Sequence, residues 1–358
     1  MAERVIAQRE GWIAALLRAE RVPVRTRFWL AVVCGCITGG VTAQKNYLFP
    51  YPRDFGQVWF AARSILHGVD PYPLVGPGLT YQWPWPLLYP IPAAIVAVPF
   101  APFSLPWASV AFMAVGGACF GWALMEYGYG PLFGFFGAPL HYAAEVGQWS
   151  PLFAAAVIVA PLQMLFLAKP TIGAAMFAAR PTWWAVGGAL ILALLAFVIQ
   201  PTWVQDWIHA VRSNNAAWSP HQPYQIPVTM AGGWLALLCL LRWRRPEARL
   251  VAALACVPQS PILYEAVPLF LVPRTFWQAA TLVALSYGQH VVAQTLMPEP
   301  RIQGEYMSLS GRLIVLLLYI PVTAMVLGRP NEGRLPNWLE RWIQGWPGWL
   351  RGRSPIDD

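Results

Sequence analysis

The sequence predicts an all-α, polytopic membrane bundle of about nine to eleven helices with amphipathic helices lying at the interface. Three observations carry this expectation. The 358 residues are 57% hydrophobic and only 11% charged, whereas a soluble domain carries about a quarter charged residues. Several apolar runs approach the roughly 20 residues that a bilayer core requires. The 35 prolines point to kinked or broken helices, which membranes tolerate where neighbours or water satisfy the freed backbone groups. The net charge of +8 comes from Arg, with Lys only at 45 and 169, and the Arg groups flank apolar segments. That pattern fits membrane topology and argues against nucleic-acid binding.

Three parts are expected: an amphipathic N-terminal segment (1–27), a membrane unit (28–328) and an interfacial tail (329–358). Residues 10–20 read as a surface helix, and Arg18, Arg21, Arg25 and Arg27 put the N-terminus on the cytoplasmic side. No cleavable signal peptide is expected. A first membrane helix, about 28–44, delivers loop 45–83 to the far side. The collar Trp83-Pro84-Trp85-Pro86 opens a second helix, and 104–125 reads as a third. Residues 131–147 either cross once or form a re-entrant pair. Helix 182–200 runs outward to an external loop, 201–227, and the next helix returns to Arg242-Trp243-Arg244-Arg245. Residues 248–273, with Ser260-Pro261 in their middle, read as two short helices. Helix 275–295 leads to an external stretch, 296–310, and 311–328 returns. Trp338, Trp342, Trp346 and Trp349 form an interfacial stripe in the tail. No soluble domain is expected to be appended. All five cysteines lie in apolar runs without metal-ligand spacing and read as buried thiols.

The stretch 54–72 is the most informative. Phe55, Val58, Trp59, Ala62, Ile65 and Leu66 share one helix face. Asp54 with Gln57 reads as an N-cap with a capping-box partner, Gly68 as the C′ residue, and Asp70-Pro71 as a turn. Asp54 therefore has two readings, a helix cap or a general base held at the membrane surface. Ionisable groups inside apolar sequence are functional candidates by default: Lys169, His141, Glu145, Glu265 and His290. External basic groups, Lys45, Arg53, Arg63, Arg212 and Arg301 with His209 and His221, either bind an anion or extend to lipid headgroups.

The string from Asp54 through Trp59-Phe60-Ala61-Ala62-Arg63 to Gly68-Val69-Asp70-Pro71-Tyr72 resembles the first external loop of GT-C type polytopic glycosyltransferases, glycosyltransferase family 87 in particular. Gly147-Gln148-Trp149-Ser150-Pro151-Leu152 resembles that family's Gly-Gln-x-Asn-Pro-Leu element. Leu167-Ala168-Lys169-Pro170-Thr171 resembles its Leu-Lys-Pro-Thr element, and Ser260-Pro261 with Tyr264-Glu265 its Ser-Pro element. The family spaces the second and third elements by about forty residues with an Arg-rich turn. This chain is shorter there, which leaves the membrane side of Lys169 open. The His that often follows the Ser-Pro element is absent.

The resemblance implies a GT-C-like enzyme of the inner (plasma) membrane acting at the extracytoplasmic face. It would move mannose or another hexose or pentose from a polyprenyl-phosphate donor to a glycolipid or glycan hydroxyl. It implies Asp54 as the base and inversion at the anomeric carbon. Lys169, Arg212, Arg301 and Arg63 are candidates for the donor phosphate. Gln57, Trp59, Asp70, Glu145, Gln148, His221, Tyr264 and Glu265 are candidates for sugar or acceptor. Membrane lipids are the expected surroundings, and no cofactor or metal is expected. No Walker loop, dinucleotide glycine pattern or paired Asp-x-Asp occurs, against a nucleotide-sugar donor or an ATP-driven pump. The competing classes are a lipid or solute transporter, disfavoured by the lack of paired halves, and a non-catalytic accessory protein of a glycolipid pathway.

Overall fold

A computed structural model describes residues 22–48, 54–218, 225–260, 262–298, 303–333, 337–343 and 345. The expected N-terminal surface helix, Arg53, His221, Arg301 and the tail tryptophans 346 and 349 lie outside them. The described chain is almost entirely helical. Extended pairing among the described residues is confined to one short parallel pair, β1 (Val75–Gly76) with β2 (Tyr81–Gln82), and an antiparallel bridge between Gln225 and Gln259.

Helix α1 (Val24–Leu48) packs along α4 (Leu105–Leu124). Small residues let the two backbones close up. A Cβ on Gly35 would stand 2.7 Å from the Ala114 carbonyl oxygen, and one on Gly121 would stand 2.7 Å from Cys34. The pair is antiparallel. Arg27 Nε donates to the Trp122 carbonyl (2.9 Å) at one end, and Asn46 Nδ2 donates to the Pro106 carbonyl (3.1 Å) at the other.

These two ends organise the molecule. Helix α2 (Asp54–Leu66) sits at the Asn46 end, where Trp59 Nε1 donates to the Phe103 carbonyl at 3.1 Å. The Arg-rich segments gather at the other. There Arg274 lies over the Tyr127 ring. Arg245, Arg274 and Arg329 all reach the same Glu247 oxygen, at 3.3, 3.0 and 3.0 Å. Arg244, almost fully buried, holds Glu340 with both guanidinium ends at 2.8 and 2.9 Å. A helix of about 20 residues separates the two ends by about 30 Å.

The rest of the chain fills the space between. It comprises α3 (Ile91–Ala97), α5 (Ala138–Val146), α6 (Ser150–Ile158), α7 (Pro170–Ala179), α8 (Trp183–Ile199) and α9 (Trp203–Trp218). Helices α10 (Pro246–Cys256), α11 (Phe276–Leu296), α12 (Gln303–Ile314), α13 (Ile320–Leu327) and α14 (Asn337–Ile343) follow. Between them run 3₁₀ segments at Gly130–Phe136, Ala160–Ala168, Gly233–Arg242 and Leu263–Leu271. Proline opens the first two and lies inside the last, where each missing N–H disfavours continuous α-helix.

Among the described residues three helices are long and apolar enough to cross a membrane: Val24–Leu48, Leu105–Tyr127 and Gly304–Leu327. Helices α8 and α9, bent by 94°, give a fourth if counted as one span. Nine to eleven crossings would require the shorter apolar segments to join as broken spans. Several boundaries differ from expectation. Residues 203–218 form a helix, not a loop, because Trp203, Trp207, Ala210 and Asn214 make one stripe, with Trp203, Ala210 and Asn214 buried. Residues 303–310 are likewise helical and continue through a π-turn at Val315–Tyr319. The 131–147 region is a 3₁₀ segment followed by α5. Cys34 and Cys239 are buried as expected, but Cys36 and Cys256 are exposed.

Candidate active site

Helix α2 packs Phe55, Val58 and Ala62 into the main core, and Gly68 closes it with φ +69°. Asp70 Oδ1 accepts from the Tyr72 N–H at 3.0 Å, the expected Asx turn. The burial of α2 extends well past that face: Gly56, Gln57 and Ser64 are buried too. Helix α2 is thus set into the bundle rather than laid upon it. Gly56 is required by this fit, because the Tyr81 hydroxyl occupies the space its Cβ would need.

The capping-box reading of Asp54 is corrected by its contacts. Its carboxylate accepts a short hydrogen bond from Gln148 Nε2, and Gln57 Oε1 has no partner among the described residues. The carboxylate is turned inward to a side chain that follows another helix end. Helix α5 stops at Gly147, which has φ +74°. The Gly147 and Gln148 N–H groups both return to the Ala143 carbonyl, at 2.9 and 3.0 Å, closing the helix in the left-handed manner that glycine favours. A Cβ on Gly147 would stand 3.0 Å from the Phe55 Cβ. Glycine therefore brings the α5 terminus against the start of α2 and hands Gln148 to Asp54.

The chain of contacts continues. Gln148 Oε1 accepts from Lys169 Nζ at 3.4 Å, and Lys169 Nζ donates to Glu265 Oε1 at 2.8 Å. The ammonium also lies 5.5 Å from the Tyr264 ring centre, and Tyr264 stacks on Tyr142 at 6.0 Å. Four residues expected separately, Asp54, Gln148, Lys169 and Glu265, thus form one line, with Tyr264 beside it. Lys169 stands at the α2 end, opposite the Arg-rich end. Burial pushes the Asp54 carboxyl up to about 6, against the hydrogen bond from Gln148 and the charge of Lys169, with Glu265 adding to the rise. A carboxylate so placed can accept a proton near neutral pH.

Other expected site residues stand apart. Arg63 is exposed, 5.0 Å over the Trp59 ring, and Arg212 is exposed on α9. Neither touches the Asp54 line. Helix geometry turns both away from the core. Glu145 pairs with Lys45 (2.7 Å) and His141 (3.1 Å) in a separate cluster. Asp70 accepts from Gln200 Nε2 at 3.0 Å, and the same nitrogen reaches Asp206 at 2.8 Å. Among the described residues no three His, Cys, Asp or Glu side chains gather as a metal-ligand set.

Sequence reasoning missed Tyr81, whose buried hydroxyl lies beside Gly56 and whose ionisation is opposed by burial first and by the Asp54 charge second. It also missed Gln259, which donates to the Tyr319 hydroxyl at 3.0 Å. Neither carries a local signal, since Tyr81 opens a two-residue strand and Gln259 sits in an isolated bridge, both too short to leave a sequence pattern. Comparison with protein families, with curated proteins and with solved structures finds no match for this chain.

Proposed function

We propose that this chain is a GT-C-like membrane glycosyltransferase that moves a hexose or pentose from a polyprenyl-phosphate donor to a lipid or glycan hydroxyl. Asp54 is the general base. The observation that carries the reading is the Asp54–Gln148–Lys169–Glu265 line, together with the rise of the Asp54 carboxyl to about 6. Direct displacement at an anomeric carbon needs one base for the attacking hydroxyl and positive donors for the leaving phosphate. Asp54 takes the hydroxyl proton as the new C–O bond forms and the anomeric C–O bond to phosphate breaks, with inversion.

Lys169 serves the leaving group. Its ammonium has three protons; Gln148 and Glu265 take two, leaving one for a phosphate oxygen. Its charge is shared with Glu265, so the phosphate depends on further donors, for which Arg63, Arg212 and Arg301 are retained. The Arg asymmetry supports an outward-facing arrangement at a plasma membrane, since basic residues crowd the end opposite Asp54.

The same buried ionisable line favours a second reading, a transporter with a proton relay. One measurement separates them. Purified Asp54→Asn protein, folded and inserted as wild type, should lose sugar transfer from a short-chain polyprenyl-phosphate sugar by about 10²–10⁴-fold. Transfer at the wild-type rate would sink the catalytic assignment.

A further inference from the structure

Helices α1 and α5 hold a second charged group that the Asp54 line does not use. Lys45 Nζ and His141 Nε2 both reach Glu145 Oε1, at 2.7 and 3.1 Å. The Lys45, His141 and Glu145 side chains are 28%, 51% and 18% exposed, so a ligand from outside can meet them. Next to this trio, toward the middle of α1, lies a groove of about 90 Å³. Its walls include Ile37 and Val41 of α1, Leu140 of α5, Phe136, and Tyr287 of α11. On α1, Ile37, Val41 and Lys45 recur every four residues and so share one face. Ile37 precedes Lys45 by about 12 Å along the helix. His141 belongs to both parts, lining the groove and meeting Glu145 one turn further on.

The walls are held in place. Thr42 Oγ1 donates to the Ala144 carbonyl at 2.8 Å, tying α1 to α5. The Ala138 N–H donates to Ser286 Oγ at 3.1 Å, tying α5 to α11. Thr38, also in the wall, gives its hydroxyl proton to the Cys34 carbonyl at 2.8 Å. Tyr142, the neighbour of His141, stacks instead on Tyr264 beside the Asp54 line. Helix α5 therefore separates the two sites.

Ile37, Phe136 and Tyr287 are exposed at the rim, and α1 is of membrane-spanning length, so the groove opens sideways into hydrocarbon. Its volume is well below the roughly 300–1,000 Å³ of drug-sized sites and takes a short run of methylenes. Lipid tails are as apolar as these walls, so contact with a chain alone selects little. Selection falls to the trio, where the charges of Lys45 and Glu145 cancel. An anionic headgroup would set its charge against Glu145, and a choline has no N–H to donate to it. An ethanolamine headgroup brings a phosphate for Lys45 and three ammonium protons for a carboxylate that accepts about four hydrogen bonds.

We propose that the trio and the groove bind one bilayer phospholipid with an ethanolamine headgroup. Its phosphate lies on Lys45, its ammonium on Glu145, and part of one acyl chain between Ile37, Leu140 and Tyr287. This site rests on the groove and the trio alone, so it stands or falls apart from the glycosyltransferase reading.

The test uses the full chain in detergent, with native mass spectrometry counting bound lipid. The probes are dioleoyl phosphatidylethanolamine, phosphatidylcholine and phosphatidylglycerol. Wild-type protein should retain the ethanolamine lipid at about tenfold lower concentration than the other two. Glu145→Gln should bring it to the level of the choline lipid, and Lys45→Gln should weaken it as well. Ile37→Trp narrows the mouth of the groove at an exposed position and should lower retention with the trio intact. That variant keeps the proposal testable if the charge variants unfold. Equal retention of all three lipids, or strongest retention of phosphatidylglycerol, would overturn the site. So would undiminished retention of the ethanolamine lipid in folded Glu145→Gln or Ile37→Trp protein. Displacement of that lipid by citronellyl phosphate would give the groove to an isoprenoid phosphate and overturn it too.

Discussion

Gln148 reaches across 94 positions of sequence to donate its side-chain N–H to the Asp54 carboxylate. Its other amide atom accepts from Lys169. One side chain thus couples the candidate base to the buried ion pair. The coupling depends on Gly147, whose left-handed backbone and missing Cβ let the end of α5 approach Phe55. Gly147→Ala should cost about 1–2 kcal/mol in backbone conformation alone and should displace Gln148. The check is the thermal midpoint together with transfer rate, and both should fall.

Removing the Gln148 amide should move the pH profile. The hydrogen bond from Gln148 holds the Asp54 carboxyl lower than burial alone would leave it. In Gln148→Leu the acidic limb of the transfer rate should therefore rise above the wild-type value of about 6. Activity lost at mildly acidic pH should return as the pH is raised. A profile unchanged in position but uniformly lowered would assign Gln148 to substrate contact instead.

Asp54 should also cost stability, with a definite sign. Its folded value of about 6 lies above the ordinary carboxylate value of 3.8, so between these limits the folded chain binds the proton more tightly than the unfolded one. Stability should fall as pH rises through that window and stay flat above it. Asp54→Asn should remove this dependence and raise stability at neutral pH on the order of 1–3 kcal/mol. Thermal melts of both proteins across the window check it.

Much of the site could be read residue by residue, because each member breaks a local rule. Lys169 and Glu265 are charged groups in apolar sequence, and Gln148 sits in a Gly-Gln-Trp-Ser-Pro string bounded by helix breakers. Their convergence could not be read, since Asp54 and Gln148 are 94 positions apart and Lys169 and Glu265 are 96 apart. Local spacing records neither. The cap reading of Asp54 failed for the same reason: Gln57 is the neighbour in sequence, and Gln148 is the neighbour in space. The stripe Trp203, Trp207, Ala210 and Asn214 was hidden by polar composition, which reads as loop although its period is helical.

The Arg-rich end makes a separate prediction. Glu247 is buried among Arg245, Arg274 and Arg329. Burial alone would raise its carboxyl, but the guanidinium charges, Arg274 foremost, bring it below the usual range. Its contribution is therefore present above the ordinary carboxylate value of 4.5 and lost as pH falls through the lower folded value. Glu247→Gln should destabilise the chain by about 3–5 kcal/mol at neutral pH, the cost of leaving buried charges unpaired. It should also flatten the acid limb of the melting curve.

The Lys169–Glu265 pair separates a structural role from a chemical one. Their nitrogen and oxygen are 2.8 Å apart, with side chains 18% and 6% exposed, so water screens the pair weakly. Removing one partner leaves a buried charge uncompensated, and Lys169→Met alone should cost about 3–5 kcal/mol. Replacing both, as Lys169→Met with Glu265→Leu, leaves no charge to compensate and should recover most of that loss. Stability and activity should then part. If the pair only braces the fold, the double variant regains transfer along with its melting temperature. If Lys169 donates to the leaving phosphate, the double variant melts near wild type yet transfers sugar at the rate of Lys169→Met. The comparison needs melts and initial rates on four proteins: wild type, two single variants and the double. A double variant with both stability and transfer restored would remove Lys169 from the chemistry and leave Asp54 and Gln148 to act without it.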